Sequence, residues 1–80
     1  GKIAYFKATI SDKPGALSKL LNLIAQNNVD LIATASSAIE RGKTAEWTAI
    51  ADISECKNIK RIEKEAMSSG SVNKIDIKIK

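Results

Sequence analysis

From Lys2 to Ile10 the chain alternates, with Ala4, Phe6, Ala8 and Ile10 on one side and Tyr5, Lys7 and Thr9 on the other. A period of two predicts a half-buried strand. Ser11-Asp12-Lys13-Pro14-Gly15 breaks the pattern, because Pro14 fixes its own φ, biases Lys13 toward extended geometry and leaves Gly15 to turn the chain. The period then changes. Leu17, Leu20, Leu21 and Ile24 recur at i, i+3, i+4 and i+7, predicting an amphipathic helix over Gly15 to Asn27 with Asn27-Asn28 as a left-handed stop. Val29 to Ile39 alternates again, setting Leu31, Ala33 and Ala35 opposite Asp30, Thr34 and Ser36, and Glu40-Arg41-Gly42-Lys43 reads as a hairpin. A third strand to Ile53 shares Ala45, Trp47, Ala49, Ala51 and Ile53 on one face. Ser54 followed by Glu55 predicts a helix cap with an acidic first turn. That second helix carries Cys56, Ile59, Ile62 and Ala66 and stops at Ser68-Ser69-Gly70. A last strand sets Ile75, Ile77 and Ile79 against Lys74, Asp76, Lys78 and Lys80.

The order is β-α-β-β-α-β, with short loops and one domain over residues 1–80. Two right-handed crossovers then give an α+β, ferredoxin-like sandwich: a four-stranded antiparallel sheet of order 4-1-3-2 with both helices on one face. A chain this short has a small core that association helps to stabilise. No run approaches the roughly 18 to 20 apolar residues of a membrane span, so no membrane partner is expected. One cysteine builds no disulfide framework, which points to a reducing, cytoplasmic setting.

Composition removes most chemistry from this scaffold. With no histidine and a single cysteine, His-based triads, Cys–His pairs and the common zinc sets are excluded, so neither catalysis nor a cofactor is expected. A metal chaperone would need paired cysteines in the first loop. An acyl-phosphate hydrolase would need an Arg there, and both arginines, Arg41 and Arg61, lie elsewhere. RNA binding would need rings on the open sheet face; Tyr5 is there, but Phe6 and Trp47 fall on the core side by alternation. The net charge of +4 rests on lysines interrupted by Asp76, Glu63 and Glu65, the composition of a solvated face.

The first loop remains. Asp12-Lys13-Pro14-Gly15-Ala16-Leu17, with a strand before it, Lys19-Leu20-Leu21 after it and Asn28-Val29-Asp30-Leu31 further on, resembles the hallmark of the ACT domain, a small regulatory module that binds amino acids. Such modules carry an acidic residue, a variable one, Pro-Gly, a small residue and Leu, then an Asn- or Gly-rich turn into the second strand. The resemblance spans the whole chain. It implies an amino-acid site at the first loop and the adjoining second strand, across a dimer interface, made by Asp12, Lys13, Pro14, Gly15, Ala16 and Leu17 with Leu31, Ile32, Ala33 and Thr34.

Physical chemistry agrees with a site there, since free N–H groups at a helix start suit a carboxylate and Gly15 permits close approach. Asp12 would meet the ligand's ammonium group. The same residues also make a sound turn without any ligand. A second apolar stripe on the first helix, Ala16, Leu20 and Leu23 beside Leu17, Leu21 and Ile24, predicts a homodimer through the second strand's edge. The outer sheet face, with Ile3, Tyr5, Ile32 and Ile50, offers a further contact. The expectation is a domain that senses a small amino acid and acts allosterically on its own assembly or on a metabolic enzyme or regulator. Two other readings stand beside it: a nucleic-acid-binding ferredoxin-like module, and a purely structural dimerisation module.

Overall fold

The computed structural model describes residues 2–80. Six elements run in the expected order: β1 (Ile3–Ser11), α1 (Ala16–Gln26), β2 (Asp30–Glu40), β3 (Thr44–Asp52), α2 (Ile59–Ser68) and β4 (Val72–Ile79). The strands form one antiparallel sheet of order β2-β3-β1-β4, the same as 4-1-3-2. This is the ferredoxin-like topology. Alternation on the two central strands decides the layers: Ala4, Phe6, Ala8 and Ile10 of β1 and Ala45, Trp47, Ala49 and Ala51 of β3 are all buried, against Leu20 and Ile24 of α1 and Ile62 and Ala66 of α2. Phe6 and Trp47 meet edge to face, with centroids 6.1 Å apart and planes at 67°.

The terminators work as their chemistry suggests. Asn28 takes a φ of 61° after α1, and Gly70 takes 80° after α2. The start of α2 differs from expectation. Ser54 does not cap it, because its hydroxyl lies 2.5 Å from the Asp52 carboxylate and accepts from the Lys2 backbone N–H at 2.9 Å. The helix begins five residues later under Asn58, whose side chain accepts from the Arg61 N–H, and its first turn holds no acid. Cys56 therefore lies in the connecting turn, half-buried against the core, rather than on a helical stripe.

Two further corrections concern α1 and β2. The seam of α1 that the domain itself buries is Ala16, Leu20 and Ile24, while Leu17, Leu21 and Leu23 are only partly covered. In β2 the alternation slips. Leu31 pairs with Ala51 but Ala33 pairs with Ile50, so Ile32 is an extra residue in a bulge. Beyond it the faces exchange: Thr34, Ser36 and Ala38 lie on the helix side, opposite Ala49, Trp47 and Ala45, and Ala33 and Ala35 turn to the outer face. Leu31, Ala33 and Ala35 thus do not share a side.

Candidate functional site

The first loop is held from both sides. Asp12 donates its N–H to the Lys43 carbonyl at 3.1 Å, and its Oδ2 accepts from the Gly42 N–H at 2.9 Å, so the loop is tied to the β2–β3 hairpin. Ser11 donates to the Ser71 carbonyl at 2.9 Å, which ties it to the turn before β4. Between these anchors Pro14 and Gly15 are exposed, and Gly15 occupies the cap position of α1 with φ 88°. No side chain caps the first turn of α1. A Cβ built on Gly15 would meet nothing within 4 Å, so the space in front of the helix start is open. What the loop presents is backbone.

A groove of about 320 Å³ lies there, lined by Ser11, Lys13, Gly15, Ala16 and Lys19 and by the turn Ser69-Gly70-Ser71. Two ammonium groups and the positive end of α1 make it suited to an anionic group. Lys19 and the serine turn were absent from the sequence-derived set. Their signal lay in the strand order: β4 neighbours β1, so the turn entering β4 must sit beside the loop leaving β1.

Asp12, Lys13, Pro14, Gly15, Ala16 and Leu17 are together at this end of the sheet. Leu31, Ile32, Ala33 and Thr34 are not. They lie in register with Ile50, Ala51 and Ala49 of β3, which pair with Tyr5, Ala4 and Phe6 of β1, six residues from Ser11 and roughly 20 Å along the strand. Within one chain the expected site is in two halves at opposite ends. Ile32 is 58% exposed, and Leu31 alone of β2 is even partly buried.

The remaining electrostatics are modest. Hydrogen bonds from the Ser54 hydroxyl and N–H hold the Asp52 carboxyl below its ordinary pKa. Among the described residues there is no cluster of metal-ligating side chains, and no helix is long and apolar enough to cross a membrane. On the outer face Tyr5 is the one ring of β1 and β3, since Phe6 and Trp47 are in the core.

No family model and no curated protein sequence matches the chain. Solved structures do. An ACT domain protein from Streptococcus pneumoniae aligns over 99% of this chain and 90% of its own, with TM-score 0.76 and 16% identity. The ACT domain of a GTP pyrophosphokinase from Chlorobium tepidum aligns over 96% of this chain and 99% of its own, with TM-score 0.73 and 11% identity. A formyltetrahydrofolate deformylase from Pseudomonas syringae matches with TM-score 0.79 and 10% identity over 98% of this chain, which spans 27% of that protein. At such identities the likeness is one of fold: this chain has the fold that these ACT domains share.

Proposed function

We propose that the chain is a regulatory domain that binds a small amino acid in a site completed by a second copy. The carrying observation is the separation of the two site halves along an edge strand that nothing covers. Antiparallel pairing of β2 with its mate about the strand middle reverses the mate's direction. The mate's Leu31 to Thr34 then moves to the end of the sheet where Asp12 to Leu17 sits. The open helix start receives the ligand carboxylate. One oxygen of Asp12 holds the hairpin in place, and the other faces the ammonium group. A ligand bridging two chains stabilises the pair by its preference for that state, which is how occupancy would reach a partner enzyme or regulator.

Thermal unfolding in the presence of each of the twenty amino acids tests this reading. One or a few should raise the transition, by about 2.7 kcal/mol of stability at one hundred times Kd. Gly15→Val should abolish that rise. A flat response to all twenty would leave a structural dimerisation module, which the bare β2 edge supports equally well. A nucleic-acid module would instead show retention on a polyanion that falls steeply with salt.

A further inference from the structure

The outer face of the sheet carries a pattern that β2 pairing does not use. The registers arrange it in rows running from β2 to β4: Asp30, Asp52, Ile3, then Lys80; Ala33, Ile50, Tyr5, then Lys78; Ala35, Thr48, Lys7, then Asp76; Ser37, Glu46, Thr9, then Lys74. Lys80 belongs to the first row because its N–H donates to the Ile3 carbonyl at 2.9 Å. The first row begins acidic and ends basic. The second begins with a methyl group, ends with a long cation, and has two half-exposed apolar residues between, Ile50 at 39% and Tyr5 at 42%.

Shape follows the same polarity. The bulge at Ile32 delivers Ala33 and Ala35 to this face, where their small side chains form the β2 wall of a shallow hollow of about 640 Å³ that runs across the sheet to Asp76 and Lys78 of β4. The β4 side carries the longer side chains of Lys74, Lys78 and Lys80, with Asp76 among them. The charge of the first row and the small-to-long gradient of the second are therefore complementary to the same face turned by 180° about an axis lying along the strands. In that arrangement each row meets itself reversed.

We infer that this face docks a second copy of the chain, sheet to sheet, about a two-fold axis parallel to the strands. Asp30 of each copy then faces Lys80 of the other. Ile50 packs on the other copy's Tyr5, and Lys78 and Asp76 of one copy lie over the small Ala33 and Ala35 of the other. Lys80 also relieves the direct opposition of Asp30 and Asp52 within each sheet. The molecule is a slab with extents 36 × 22 × 17 Å, so the broad face offers on the order of 800 Å² per copy, the size of a standard protein interface. Aligned sheets packed about 10 Å apart accommodate side chains of these lengths. The contact is made by the face of the sheet and not by the hydrogen-bonding edge of β2, and sedimentation without any amino acid present reads it apart from ligand binding.

Sedimentation equilibrium on the 80-residue chain tests the contact, with circular dichroism confirming that each variant is folded. Ile50→Glu should weaken one association step at least about tenfold, because it places unpaired charge at the centre of the contact. Asp30→Lys and Lys80→Glu should each weaken the same step about two- to fivefold, the scale of an exposed ion pair. The double variant Asp30→Lys/Lys80→Glu should return it close to the original strength, since the pair is restored with reversed sign. A chain that is monomeric throughout, a step indifferent to Ile50→Glu, or a double variant weaker than either single one would overturn the inference.

Discussion

The two edges of the sheet are built on opposite plans. β4 lies beneath α2, with Val72 buried, Ile75 and Ile77 packed on the core, and lysines at 74 and 78 on its outer side. β2 reaches eleven residues, contains no lysine or arginine, and exposes Ile32 and Ile39 at 58% and 59%. Charged residues along an edge discourage another strand from pairing, and β2 carries them only at its ends, Asp30 and Glu40. One edge is finished by its own chain. The other is left open, so that under the proposed β2 pairing the domain would stabilise itself at one edge and meet its mate at the other.

Substitutions can separate the two. The largest effect is expected beneath β4's helix: Ile62→Ala should lower the unfolding free energy by about 2 to 5 kcal/mol in urea titrations. Its counterpart on β2, Ile39→Ala, should stay within about 0.5 kcal/mol. Next, lysines at both Ile32 and Ile39 should weaken β2 pairing at least about tenfold by sedimentation while sparing the fold. Equal loss of monomer stability in that variant would show that β2 is not a free edge. Conversely, Lys74→Val with Lys78→Val should make β4 behave like β2, raising light scattering at a given concentration.

A smaller effect is expected at the cap: Gly15→Val forces a β-branched residue to a φ of 88° and should cost about 1 to 2 kcal/mol even without ligand. The smallest concerns Asp52, beside the start of β2. Its pKa is depressed in the folded state, so its contribution is present above the unfolded pKa and is lost as pH falls through the folded one. Ser54→Ala should raise that pKa, readable by NMR titration, and should flatten the acid limb of stability. An unmoved pKa would show that the hydroxyl is not its cause.

The same contrast explains what could be read from the sequence. β1 and β3 alternate without interruption across the positions that bury side chains, and β4 does so from Lys74 onward, past an extra residue at Asn73, so layer, order and core followed from the residues. β2 alternates just as cleanly on paper. Its bulge is invisible there, because an inserted Ile32 between Leu31 and Ala33 leaves no apolar or turn residue out of place, and only pairing with β3 reveals the exchanged faces. The α2 start was misplaced because Ser54 can cap a helix or bind Asp52, and the choice depends on the strand end beside it. The first loop was legible as a turn with an open helix start. Its separation from Leu31 to Thr34 was not, since the distance between the two segments is set by the path of the chain through the sheet.

The alanines of the two central strands have a consequence of another kind. Ala4, Ala8, Ala45, Ala49 and Ala51 are at most 7% exposed, and they let the helices lie close to the sheet. At such positions a side chain can change only by giving up its one methyl group or by growing into filled space, and both are harmful. Few neutral substitutions are open to the middle of this domain. β2, exposed on both sides, has many. The capacity to acquire a new ligand or a new partner therefore lies in the strand that folding needs least.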